Sequence, residues 1–504
     1  MKPKFLLILL AISIWGCNIK KNEIVIEGKI IGENIKTIEY TVPVNGIFNG
    51  LMFDSIKPDA SGKFRLVLPF ENPGFVVLRP LHGAMPLYKN QGIIVAEPGN
   101  TYNITFESKK DSDVFRVAGF SEESLNLYNK LPNPIFQNEL EGTRPFMRDS
   151  VATSIGTKIA NQKEKEIAVF KELLDKGKIS EDFFKLVETD RNCYYSVVTA
   201  MIIENKYSVS ARAEAANVKL PKPQRELYKY ADEMKELWQG AFRNSALLQG
   251  DLSRSPWWFS YSQRLVYFNL YTNKLITPMG LGELSKKNLA KTFQIDNGAK
   301  KYLPAGVFES FFANVIYRDC FLFEEYQDLE ITTLYDQFVS EYPNSAYTRY
   351  LTPWISKYKD YQKKVAETGT NEKMKFIENY NDINSLESCL SRFKGKKVYI
   401  DMWATWCAPC RLEFAKAEKL REILRSRNIE LLYISIDEEK DEKNWNDLIK
   451  YFNLEGYHIR ANSTLRNDLN KIQNAGKGLY VPWHVLFDEK GNKIAIPSEI
   501  ADLK

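Results

Sequence analysis

The hydrophobic period of this chain changes twice along its length, and each period demands a different architecture. Over about residues 22–120 apolar and polar residues alternate in short runs. Phe64, Leu66 and Leu68 alternate with Lys63, Arg65 and Val67 after the turn signal Asp59-Ala60-Ser61-Gly62. Tyr102, Ile104 and Phe106 alternate with Asn103 and Thr105 after Pro98-Gly99-Asn100. Several such strands at short spacing predict a small antiparallel sandwich or barrel.

From about 121 to 370 the period is helical. Ile167, Phe170 and Leu174 fall on one stripe, as do Phe183, Val187, Tyr194 and Val198 behind a capping Ser180. Ile331, Leu334 and Phe338 mark a further helix, stopped at Tyr342-Pro343-Asn344-Ser345, where Asn344 or Ser345 caps the next. The aromatic run SPWWFSYSQRLVYFNLY, 255–271, is read as core and not as a ligand platform. KKVAETGTNEKMK, 363–375, reads as the linker into the last segment. There KKVYIDMWA and IELLYISID are buried-strand runs, each followed by helical text. VPWHVLFDEKGNKIAI closes with two strands around a turn. Parallel strands with crossover helices predict an α/β unit.

The fold class is therefore multidomain, since 504 residues exceed one ordinary core. A β-sandwich-like domain is expected at 18–120, an α-helical domain at 121–370 and an α/β domain at 371–504. A net charge of +5 without any Lys/Arg block gives nucleic-acid binding no support.

At the N-terminus, MKPK is a basic n-region and FLLILLAISIW an apolar run too short to span a bilayer. Ile14-Trp15-Gly16-Cys17 resembles a bacterial lipoprotein processing site, although Trp15 is larger than the residue usual there. The resemblance implies a signal peptide over 1–17, lipidation of Cys17 and a lipid-anchored protein of the cell envelope facing the periplasm. The alternative is an ordinary secretory signal that contains a cysteine. With Cys17 acylated and Cys407 paired with Cys410, three of the six cysteines remain. An odd number makes no complete disulfide framework, so Cys193, Cys320 and Cys389 are expected as buried free thiols.

The chemistry sits in DMWATWCAPCRLEF, 401–414. Cys407 falls where a buried strand passes into a helix, and a helix N-terminus stabilises a thiolate. An exchanger needs one exposed thiol there. Pro409 is tolerated in the first turn, whose N–H groups lack intrahelical partners. Cys410, one turn on, is placed to attack a mixed disulfide. The geometry fits attack by Cys407 and resolution by Cys410. A buried Cys410 must lose its proton, and Asp401 and Glu413 are the acids nearby in sequence.

These residues, with YISID, the tryptophan of KNWNDL, EGYHIRA and VPWHVLFDEKGN in order, resemble the thioredoxin family over about 375–504. More narrowly they resemble the envelope-anchored thiol:disulfide reductases of the cytochrome-maturation type, the TlpA/ResA-like group. IEGKI, DASGKFRL and EPGNTYNITF resemble the uncharacterised β-domain often found ahead of such modules. The resemblance implies a thioredoxin-like fold and a redox-active disulfide between Cys407 and Cys410. It implies a buried acid at Asp401, an acid at Glu413 and a cis-proline at Pro482. Trp406, Ala408, Pro409, Val481 and Pro482 are the residues it implies for client binding. Trp483 and His484 depart from the family pattern after that proline and are read as shaping substrate choice, unless His484 faces the other side of the sheet. The chain also stops at SEIADLK, where the family carries a long helix.

The implied partners are protein disulfides and a membrane thiol electron donor, with no cofactor. Ala408-Pro409 between the cysteines is typical of reducing members, which favours a disulfide reductase. An oxidase or isomerase is the alternative within that chemistry. An anchored binding protein with a secondary thioredoxin module is the alternative outside it. Cys389, Cys407, Cys410 and His484 are the sole imaginable zinc set. A peroxiredoxin would carry threonine where Ala404 stands.

Overall fold

The computed structural model describes residues 21–501 except 33–34, 51, 83–90, 109–112, 133–138, 216, 218, 230–232, 244–251, 275–293, 324–328, 370 and 415–416. Cys17 and the signal segment lie outside the described residues. By contacts the chain forms two compact units, residues 1–322 with 333–351, and 323–332 with 352–504. The expected β and helical segments thus share one unit, and the expected linker does not mark the division. Helix Thr348–Glu367 runs through the first half of that linker.

In the first unit, strands β1 (Glu23–Ile31), β2 (Ile35–Tyr40), β3 (Asp54–Ile56), β4 (Lys63–Pro69), β5 (Gly74–His82), β6 (Gly92–Ala96), β7 (Thr101–Ser108) and β8 (Asp113–Ala118) make two four-stranded sheets. Their orders are β4-β1-β7-β8 and β3-β2-β5-β6. The pairing is antiparallel except for β1 with β7, which run parallel. A meander cannot produce that pair: between β1 and β7 the chain crosses to the other sheet and back twice. The sheets meet closely, because a Cβ on Gly92 of β6 would fall about 2.2 Å from the Phe115 ring of β8.

The helical part of this unit is tied to the strands through buried polar bonds. Tyr128 Oη donates to Asp190 Oδ2 at 2.7 Å, and Trp258 Nε1 donates to the Phe48 carbonyl at 2.6 Å. Ser180 caps its helix as expected, accepting from Phe183 N at 2.9 Å. On helix Ala152–Asp175 the buried stripe is Ile155, Ile159, Glu166, Phe170 and Leu173, one position off the expected Ile167 and Leu174. The rotation places Glu166 inside, where it accepts from Tyr195 Oη at 2.6 Å and lies 3.5 Å from the buried guanidinium of Arg191. Neither expected residue caps the helix after the Pro343 break. That helix begins at Thr348, and Ser345 Oγ instead accepts from Tyr347 N in the preceding turn. Trp257, Trp258, Phe259, Tyr261 and Phe268 are buried, so the aromatic run is core.

In the second unit, β9 (Met374–Phe376), β10 (Lys397–Trp403), β11 (Ile429–Ser435), β12 (Gly456–Arg460), β13 (Trp483–Phe487) and β14 (Lys493–Ile494) form one sheet of order β14-β13-β10-β11-β12-β9. β10, β11, β12 and β9 run parallel, while β13 is antiparallel to both β10 and β14. This is the expected thioredoxin-like arrangement, with β10 in mid-sheet and buried on both faces from Val398 on. The turn between β13 and β14 is held by the Asp488 carboxylate, which accepts from Lys490 N and Asn492 N. β9 comes from text read as linker, and its edge place beside β12 explains why it is so short. Among the described residues no helix is long and apolar enough to cross a membrane.

Candidate active site

β10 delivers the motif to one end of the sheet. Its last residue, Trp403, is followed by a short loop and by helix Ala408–Phe414, with Cys407 just ahead of the helix. Cys407 N donates to the Ala404 carbonyl at 3.0 Å, and Arg411 N donates to the Cys407 carbonyl at 3.3 Å. Cys407 and Cys410 are joined by a disulfide, and Cys410 N points at Cys407 Sγ at 3.2 Å. The peptide bond Val481–Pro482 is cis and immediately precedes β13, whose Trp483 pairs with Met402. That register brings the proline to the end of the sheet from which the motif leaves.

The sequence led us to expect an exposed attacking thiol, and in this disulfide form the site differs. Cys407 is only 3% exposed and Cys410 is fully buried. To bond Cys410 on the inner face of the helix, the Cys407 sulfur turns away from solvent. Exposure passes to the rim instead: Trp406 is 57% exposed, and Ala408 and Pro409 are exposed beside it. Val481 and Pro482 are half-buried.

Both expected acids converge, on a residue read from the sequence as shaping substrate choice. His484 Nε2 lies 3.3 Å from Asp401 Oδ1 and 3.1 Å from Glu413 Oε2. Asp401 stands directly opposite His484 across the β10–β13 pair, which fixes the first contact. Glu413 is one helical turn beyond Cys410 and shares its side of the helix. His484 therefore faces the two acids and not the other side of the sheet. Burial works against its charged form, but Asp401 and then Glu413 outweigh burial and raise its pKa.

A second cluster fixes the loop itself. The Asp437 carboxylate accepts the Thr405 N–H at 3.0 Å, the Thr405 hydroxyl at 2.8 Å and the Ser435 hydroxyl at 2.7 Å. Arg411 donates to the Thr405 carbonyl at 2.6 Å. Asp437, Ser435 and Thr405 are buried. Sequence reasoning quoted YISID without assigning its last residue. The available signal was an acid closing a buried strand two residues after a serine. Cys193, Cys320 and Cys389 are buried thiols outside the disulfide, as expected, and burial pushes the Cys389 thiol up to about 12.

Residues 375–494 match the sequence model of the AhpC/TSA family. The chain is 34% identical over 59 residues to the thiol-disulfide oxidoreductase ResA of Geobacillus kaustophilus, covering 12% of this chain and 34% of that one. It is 34% identical over 87 residues to the thioredoxin-like protein YneN of Bacillus subtilis, covering 17% and 50%. It thus spans half or less of these two relatives. The thioredoxin domain of a thiol-disulfide oxidoreductase from Bacteroides vulgatus is 21% identical, with a TM-score of 0.19 over 22% of this chain and 79% of that chain. In its matched residues, its sheet topology and its bonded cysteine pair, the C-terminal unit resembles the thioredoxin-like thiol–disulfide oxidoreductases.

Proposed function

We propose that this protein is a membrane-anchored thiol–disulfide oxidoreductase that reduces disulfides in envelope proteins, with Cys407 attacking and Cys410 resolving. The observation that carries the reading is the Cys407–Cys410 disulfide at the start of a helix, above two acids gathered on one histidine. The reduced Cys407 thiolate attacks a client disulfide, forms a mixed disulfide and releases one client thiolate, which takes up a proton. Cys410, deprotonated, then attacks Cys407 Sγ. The intramolecular disulfide forms and the second client thiol leaves, so two electrons pass to the client. Each turnover leaves the pair oxidised, and a membrane-held thiol donor must refill it.

Ala408 and Pro409 between the cysteines favour the reducing direction. Trp406, Ala408, Pro409 and the Val481–Pro482 edge are the surface that would meet extended client backbone. Cys17 would carry the lipid, with the chain facing the periplasm.

The test is capture of clients by Cys410→Ala, which cannot resolve. Envelope proteins held as reducible adducts by this variant, and absent with Cys407→Ser, support the reading. Equal recovery from both variants would refute it. Retention of Cys17→Ser in membranes would separately refute the anchor.

A further inference from the structure

The exchange reaction needs a place for the Cys410 proton, and the structure offers a set of groups there, not a single acid. Asp401 arrives from β10 and Glu413 from the motif helix, and both approach the same nitrogen of His484 on β13. Two carboxylates this close repel each other unless a proton or a cation stands between them. His484 is that group: its ring is 11% exposed, against 5% for Asp401 and 25% for Glu413. The ring lies near-parallel to that of Tyr399 of β10, with centroids 6.1 Å apart and planes at 22°. β14 pairs with β13 farther along, Ile494 with Leu486 and Lys493 with Phe487. From β11, Tyr433 stands opposite Asp401 in register, and the Arg421 guanidinium acts on that tyrosine. His484, when protonated, thus brings a positive charge between the two acids.

We propose that His484 is a positioning residue of the exchange reaction: it holds Asp401 and Glu413 together around one proton and so sets the pH at which Cys410 becomes a thiolate. This rests on the exchange chemistry proposed above. With His484 charged, the three groups carry one net negative charge, and Glu413, one turn from Cys410, is placed to accept the thiol proton. Without it, one carboxyl keeps a proton to avoid its neighbour, or both stay ionised and oppose a third negative charge at Cys410. Either way Cys410 ionises at higher pH. The proton taken from Cys410 passes to this set, and the departing client thiolate is protonated from it or from water. Atoms and electrons balance as in the two-step exchange. The two acids raise the pKa of His484 against its burial, which favours the charged ring.

The test uses the reduced full chain and 5,5′-dithiobis(2-nitrobenzoate) in stopped flow, with the double variant Cys407→Ser/Cys410→Ser as blank. The first thionitrobenzoate released reports attack by Cys407, and the second reports resolution by Cys410. In His484→Leu we expect the first phase unchanged, the second slowed about tenfold at pH 7, and its pH midpoint moved up by about one unit. His484→Gln keeps a polar amide of similar reach without the charge and decides the matter should the leucine variant not fold. The same upward move in the glutamine variant supports a charge role. Wild-type rate and midpoint in the glutamine variant would reduce His484 to packing and overturn the proposal. A wild-type chain with no second phase would instead overturn the exchange chemistry beneath it, and the proposal with it.

Discussion

Thr405 gives both its backbone N–H and its hydroxyl to one buried carboxylate, that of Asp437, at 3.0 and 2.8 Å. The bond ties the loop that carries Cys407 to the end of the neighbouring strand β11, so the height of the motif above the sheet is set from outside the motif. Replacing Asp437 by alanine leaves the buried Thr405 N–H without an acceptor. We expect a loss of about 1–3 kcal/mol in urea unfolding at pH 7.

Asp437 also has a pH signature. Burial raises its pKa, against the opposing hydrogen bonds of Ser435 and Thr405. An acid raised on folding binds its proton more tightly in the native state. The stabilisation linked to its proton is therefore complete below the ordinary aspartate value of about 3.9 and is lost as pH climbs through the raised value. Asp437→Asn should remove that decline, read as the difference between variant and wild-type urea midpoints across acid pH. An unchanged slope would contradict this assignment.

His458 predicts the opposite slope. It is fully buried between the Tyr433 and Phe376 rings, its Nε2 lies 2.7 Å from the Leu454 carbonyl, and burial lowers its pKa to about 4. Unfolded, it takes a proton near about 6.5. Its stabilisation is thus whole above that value and is lost as pH falls toward 4, by roughly 3 kcal/mol in all. His458→Phe should flatten this acid limb in urea titrations between pH 7 and pH 4.

Trp406 presents an apolar ring at the rim of the site, 57% exposed. If it meets the client, Trp406→Ala should raise KM for a protein disulfide about tenfold while leaving the reduction potential unmoved. A change in potential without a change in KM would assign it to tuning the cysteines.

The sheet and its motif were legible in the sequence because each rests on local signals. KKVYIDMWA is apolar on both faces, as a central parallel strand must be, and Pro409 marks the first turn after Cys407. What escaped depended on contacts between distant segments. Glu166 is polar and reads as a surface residue, yet Arg191 and Tyr195 from the next helix make burial tolerable and turn the helix by one position. The parallel pairing of β1 with β7 is a choice of partner that alternation cannot encode. β9 and the last turn of the helix over 348–367 were hidden under a composition that suits linkers. Tyr361 from that helix packs against Tyr451 at 4.7 Å, inside the core of the second unit. At the site, Asp401 and Glu413 could be named as acids, but their meeting at His484 needed the β10–β13 register.

The most direct test of the account is the reduction potential of the Cys407–Cys410 pair, measured against a glutathione or dithiothreitol series in the chain begun at Asn18, so that Cys17 is absent. We predict one reversible two-electron couple near thioredoxin's, about −270 mV. A value near about −120 mV would make the protein a disulfide donor and reverse the proposed direction, and no reversible couple would contradict the account altogether.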